Sequence, residues 1–193
     1  MNINFKEVFK KWTPLAIAIV AMGGLVYIAV QQDLRISAYD PQIQLSEDIA
    51  NQLALGADPT TYGSAQKTDI KKSLDSFIMV FDDRGNVLVS SATLNNEVPK
   101  FPSGVLDYTR DNKEDKLTWQ PQKGIRQAIV VTRYKGDNPG FVVIGRSLRE
   151  VEIRIDNLGK MTLLAMITTL SATLGAAIIL EKLFPTWNKK PKR

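Results

Sequence analysis

Two long apolar runs interrupt an otherwise mixed pattern. Leu15 to Val30 (LAIAIVAMGGLVYIAV) holds sixteen residues without a charge, nineteen counting Trp12, Thr13 and Pro14; Met161 to Leu180 (MTLLAMITTLSATLGAAIIL) holds twenty. A helix needs roughly 20 apolar residues to cross ~30 Å of hydrocarbon, so the runs predict transmembrane helices over 14–31 and 160–181. Trp12 and Tyr27 stand near the ends of the first run, where amphipathic rings anchor at headgroups. Lys160 and the pair Glu181-Lys182 bound the second. Two other readings apply. One is a buried core helix, though globular proteins rarely make one this long without a charge. The other is a cleaved signal peptide at the first run. Lys6, Lys10 and Lys11 suit a signal sequence, but a cut after Ala29 would place the bulky Tyr27 where a small residue is needed. The pattern fits an uncleaved anchor.

Between the runs the periodicity becomes that of a small α+β domain, over 32–159. Leu34, Ile43, Leu45, Ile49 and Leu53 are mostly spaced three to four apart and predict helix over 31–55. Asp40-Pro41 reads as an N-cap with proline at the first helical position, splitting off a helix over 41–55 that Gly56 stops. Phe77 to Phe81 (FIMVF) predicts a central strand, 82–86 (DDRGN) a turn and 87–90 its hairpin partner. A short helix is expected within 99–109, a charged loop tip at 111–116 (DNKEDK), and strands over 117–120, 125–134 and 141–146, the last two joined by KGDNPG. Ser147, with Glu150 three residues on, reads as a capping box opening a helix through Leu148, Val151, Ile155 and Leu158 into the second run. Five mostly antiparallel strands with a helix over one face make a sound two-layer domain.

Charge orients this arrangement. The chain of 193 residues has net charge +5, but residues 1–13 carry net +2, residues 181–193 net +4 and residues 31–160 net −1. Short positive flanks face the cytoplasm. The expected topology is therefore a basic cytoplasmic N-terminus (1–13), an exported domain (32–159) and a basic cytoplasmic tail (182–193), in a two-pass inner-membrane protein. The excess charge lies beside the membrane, where it suits anionic lipid, so no nucleic-acid partner is expected. The sequence has no cysteine and no histidine. That excludes disulfides, thiolate zinc sites, a Ser-His-Asp triad and an autophosphorylating histidine kinase. Without cysteine or an N-x-S/T sequon, the chain suits a bacterial envelope.

Three segments, FIMVFDDRGNVLVSSATL (77–94), TWQPQKGIRQAIVV (118–131) and GFVVIGRSLREVEIRI (140–155), resemble the extracytoplasmic PAS-like sensor domains of the Cache type found in bacterial receptors. The first resembles the family's strand, Asp-x-x-Gly turn and strand; the last resembles its final strand and the helix returning to the membrane. The chain also resembles a narrower group of two-span bacterial membrane proteins with the same segments. The resemblance implies a PAS/Cache-like five-stranded antiparallel sheet with a long N-terminal helix and two transmembrane helices, working in signal transduction. Such receptors continue into an output module, whereas thirteen residues follow Leu180 here. The expected function is a non-enzymatic sensor that reports through a protein partner or homodimer, ligand binding shifting the helix at 147–160. The alternative is an assembly subunit that uses the exported domain as a docking surface.

No motif points to catalysis, a metal or a cofactor. Asp82 and Asp83 alternate in direction on a strand end and suit a turn better than an acid/base pair. Asp111, Glu114 and Asp115 are interleaved with Lys113 and Lys116, without a calcium-loop glycine spacing. Ser90-Ser91 would need a base. The candidate ligand site is Trp119, Arg126, Arg133, Tyr134 and Arg146 with Thr118, an apolar wall and arginine forks suited to a small anion. In PAS-like folds the ligand lies between the sheet and the helical insert. The competing reading makes Trp119 core and the arginines surface ion pairs. Gly23, Gly24, Ser171, Ala172, Gly175 and Ala176 are candidates for close helix packing.

The topology sets an expectation: in whole cells, Asn112→Cys labels with an impermeant thiol reagent and Asn188→Cys does not. The reverse labelling would invert the orientation.

Overall fold

The structure, a computed structural model, describes residues 5–63 and 67–184. Residues 1–4 and 185–193 lie outside it, including Lys189, Lys190, Lys192 and Arg193 of the basic tail. The chain forms two compact units, one of Met1–Asp33 with Arg154–Arg193, the other Leu34–Ile153.

In the first unit, helix α1 (Phe5–Ser37) pairs antiparallel with α4 (Arg149–Leu183). Both are long and apolar enough to cross a membrane, and no residue of their most apolar stretches is buried, which is not the pattern of a core helix. The seam on α1 runs through Trp12, Ala16, Ile19, Gly23 and Tyr27, spaced three to four apart. The Trp12 indole N–H donates to Thr173 Oγ1 at 3.0 Å, and Lys11 Nζ pairs with Glu181 at 3.0 Å. Gly23 lies so close to α4 that a Cβ would sit 2.7 Å from Met166 Sδ. The other small residues behave differently. A Cβ on Gly24 or Gly175 would meet nothing within 4 Å, and Ser171, Ala172 and Ala176 are exposed. Within the chain, Gly23 alone of the expected set makes a close helix approach.

The second unit holds α2 (Asp40–Ala54), a 3-10 turn (Pro59–Gly63), β1 (Thr68–Asp69), β2 (Phe77–Asp82), β3 (Val87–Ser90), β4 (Ala92–Thr93), α3 (Ser103–Asn112), β5 (Glu114–Gln122), β6 (Ile125–Tyr134) and β7 (Gly140–Ser147). The main sheet has five strands in the order β3-β2-β7-β6-β5, and all neighbours are antiparallel. This is the expected α+β class. The parallel pair β1-β4, Thr68 opposite Ala92, lies in a stretch whose short polar composition gives no strand signal.

Alternation along the strands builds two cores. One face carries Phe77, Met79, Phe81, Trp119, Ile129, Val131, Phe141 and Val143, with Leu106 of α3. The other carries Val80, Tyr134, Val142 and Ile144 under Ile49, Ala50 and Leu53 of α2. Burying each large aliphatic side chain contributes roughly 1.5–3 kcal/mol. The expectation of cover on one face is therefore incomplete, because α3 and its flanking aromatics close the second face. The buried positions of α2 also include Gln42 and Ser46. Ser46 Oγ and Thr132 Oγ1 share a hydrogen bond of 2.9 Å, whereas neither end of the Gln42 amide finds a partner among the described residues.

Local boundaries differ from expectation in three places. The cap of α2 is Tyr39, with Asp40 already helical and Pro41 just behind it, and no side chain bonds the helix end. The charged tip over 111–116 does not exist as a loop: α3 reaches Asn112, β5 starts at Glu114, and Lys113 alone turns the chain at φ 68°. Ser147 Oγ accepts from the Arg149 N–H at 3.3 Å, two residues on, so the turn into α4 replaces the expected capping box.

Gly145 marks where the sheet is tightest. A Cβ there would lie 2.2 Å from Phe77 Cζ and 2.4 Å from Ile129 Cδ1, two fully buried side chains. Alanine ordinarily improves a strand over glycine, but this overpacking outweighs that gain. Gly145→Ala is expected to destabilise the full chain in detergent by about 1–3 kcal/mol in chemical denaturation. Gly104→Ala, with nothing within 4 Å of its Cβ on α3, is the matched control expected to be neutral or stabilising.

Candidate functional site

The β2–β3 turn organises the candidate site. Asp82 Oδ1 accepts from the N–H groups of Arg84 (2.9 Å) and Asn86 (2.7 Å), and Oδ2 from Asn86 Nδ2 (2.8 Å). This is the turn role expected for Asp82. The Asn86 side chain first, then the two backbone donors and the Arg84 charge, hold the Asp82 carboxyl below its ordinary range. Asp83 points elsewhere. Its Oδ1 takes Arg133 Nη2 at 3.2 Å and lies 3.9 Å from Arg110 Nε, while its carbonyl accepts Arg110 Nη2 at 2.7 Å. Arg133 Nη1 donates to Arg110 O at 2.8 Å, and the Arg110 guanidinium lies 5.4 Å from the Phe141 ring centroid. The Asp107 hydrogen bond, with the Asp83 and Asp111 charges, raises the Arg110 pKa, so this cation is permanent. The two arginines thus fasten the end of α3 and the end of β6 to one turn.

The five expected ligand residues do not gather at one pocket. Trp119 sits in the core facing α3, against Phe101 (centroids 5.3 Å apart) and Phe77 (6.4 Å). The space between sheet and helical insert is filled there by aromatic side chains. Arg126 pairs with Glu152 at 2.6 Å on the exposed surface. Arg146 Nε donates to Leu74 O at 2.9 Å. Thr118 shares a hydrogen bond with the Tyr39 hydroxyl at 3.1 Å. Arg133 and Tyr134 line a common cleft.

That cleft, of about 560 Å³, opens between α2, the end of α3 and the end of β6. Arg110, Lys113, Arg133 and Lys135 line it with Glu47 and Asp111, and Asp83 and Asp107 behind the wall pair the two arginines. Arg133 Nε is buried without a hydrogen-bond partner, and the ammonium groups of Lys113 and Lys135 contact no acceptor among the described residues. The arrangement can hold an anion by charge and by N–H donation. Sequence reasoning missed Lys113, which is the one-residue connection between α3 and β5, and Lys135, which follows the end of β6. Their neighbourhood arises only when α3 packs beside β6.

The remaining candidates are occupied. Ser90 Oγ donates to Ala92 O at 3.1 Å, and Ser91 Oγ accepts the Ile78 N–H at 2.8 Å. Among the described residues, no three acidic side chains gather in a way that could hold a metal ion. The fold and the site together define an α+β domain with a cationic cleft, in a chain with two helices fit to cross a membrane. No family model and no curated protein matches the sequence.

The Asp82 turn predicts a pH signature. Its folded pKa is depressed, so its contribution is present above the unfolded value of about 3.9 and is lost as pH falls through the folded value. Asp82→Asn is expected to melt below the parent protein at neutral pH, with the gap closing under acid. A gap that stays constant down to low pH would show that the charge is irrelevant to the turn.

Proposed function

We propose that this protein is a non-enzymatic bacterial inner-membrane protein whose central domain is an extracytoplasmic PAS- or Cache-like sensor. In this reading both membrane-flanking ends face the cytoplasm. The domain binds a small anion in the cleft at Arg133 and passes its bound state to a protein partner. The observation that carries the reading is the charge of the cleft: Arg110, Lys113, Arg133 and Lys135 line it, and while Asp83 and Asp107 pair the two arginines, the two lysines have no partner among the described residues. Domain architecture supports it, since a five-stranded antiparallel sheet with a long helix on one face and a helical insert on the other suits the sensor resemblance. A cleft of this size matches the usual range for small-ligand sites.

Arg133 also fastens the turn, so the lysines make the cleaner test. The full chain in detergent is melted with phosphate, citrate and succinate. A one-site anion at a hundred times its Kd stabilises by about 2.7 kcal/mol. At least one of these anions is expected to raise Tm saturably, and Lys113→Ala with Lys135→Ala to abolish the rise. A rise unaffected by both substitutions places the anion elsewhere, and no rise with any of the three removes the support for anion sensing.

A further inference from the structure

A second cleft, of about 810 Å³, lies where the end of α2 meets the β2–β3 and β6–β7 turns. Its chemistry is the opposite of the first. Asp58, Asp82 and Asp137 line it, and no lysine or arginine does. Arg84, in the adjacent turn, helps to keep Asp82 ionised but is not part of the wall. Hydrogen bonds from Thr60 hold Asp58 ionised as well. Helix α2 ends at this cleft with no basic residue in its last turn; the backbone N–H groups of Leu55, Gly56 and Ala57 satisfy the carbonyls of Asn51, Gln52 and Leu53, and no cationic side chain offsets the negative end of its dipole.

Two further observations point to a ligand and not merely to acidic surface. Tyr134 is only 4% exposed and lines the cleft; its hydroxyl bonds to none of the described residues and is not one of the buried polar atoms cut off from solvent without a partner, so its tip is open to a ligand. Its phenol end lies toward Asp82 and Gly140: a Cβ on Gly140 would be 2.6 Å from the hydroxyl, and both burial and the Asp82 charge hold its proton on. It therefore remains a neutral phenol able to accept one hydrogen bond and donate another. The second observation is apolar. Leu55 is 89% exposed at the end of α2 and Leu88 48% exposed on β3, and both border the same acidic hollow. A leucine held in water beside ionised carboxylates gains little unless an apolar group covers it.

We propose that this cleft binds an organic ammonium ion, its charge set among Asp58, Asp82, Asp137 and the Tyr134 hydroxyl, and its apolar body laid against Leu55 and Leu88. The site is separate from the anion cleft in charge and lining, although the two share Ala54 and Tyr134. A cation without an apolar part would leave the leucines uncovered; an uncharged apolar molecule would meet unneutralised carboxylates. The ligand class therefore needs both parts.

The test melts the full chain in detergent with benzylammonium, using benzoate and benzyl alcohol as shape-matched probes. Benzylammonium is expected to raise Tm saturably, less so at high salt, and the other two not at all. Asp137→Asn lies in an exposed turn and Tyr134→Phe preserves the buried ring. Each is expected to weaken binding about tenfold, the loss of one charge-assisted contact. Leu55→Ser is expected to weaken it too, whereas Lys113→Ala leaves it unchanged, which separates this site from the anion cleft. Equal shifts by benzyl alcohol, no saturable shift, or full binding by both Asp137→Asn and Tyr134→Phe would overturn the proposal.

Discussion

The central domain depends on strands that are apolar on both faces. Residues 141–144 of β7 are fully buried, as are Val130 and Val131 of β6 and Met79 and Val80 of β2. A sheet of that composition is stable only with a layer on each side. The amphipathic α2 supplies one layer. The other is assembled from α3, Phe101, Leu94 and Ile70, because α3 is short and cannot cover the face alone. The same requirement explains where ligands can go. Side chains fill the middle of both faces, and the two clefts described above open at the end of the sheet, where α2, α3 and the turns stop.

Much of this was legible in the sequence. The all-apolar FIMVF, the DDRGN turn and the long IRQAIVVTRY strand declare themselves locally, and β6 falls on the residues expected of it. Facing is a different matter. Counting back from the β5–β6 turn, where Gln122 faces Ile125, a regular ladder would set Trp119 opposite Ala128. A bulge between Trp119 and Gln122 shifts the register by one, so Trp119 faces Gln127 and points into the α3-side core. One extra residue thus moves the tryptophan to the other face, and no composition signal marks it. The clefts were illegible for a related reason: Lys113 with Lys135, and Asp58 with Asp137, are distant in sequence and meet only at shared ends of elements.

Charge at that end of the sheet is sorted, not mixed. Asp83 draws Arg110 and Arg133 to the α3 side, while Asp82, its immediate neighbour, turns to its own loop and faces the α2 terminus. Strand alternation sends adjacent carboxylates in opposite directions. Two neighbouring residues of one type therefore help to make a cationic hollow and an anionic one with Tyr134 between them.

Gln42 carries a last consequence. The residue is 1% exposed, and its amide is unbonded at both ends among the described residues. Burying such a group costs about 1–3 kcal/mol, and the cost falls on the first turns of α2, away from the apolar grip of Ile49 and Leu53. The helix is thus unevenly held along its length. Backbone amides around Gln42 should exchange with solvent through partial opening well before those around Leu53, so the start of α2 can detach while its end remains part of the core.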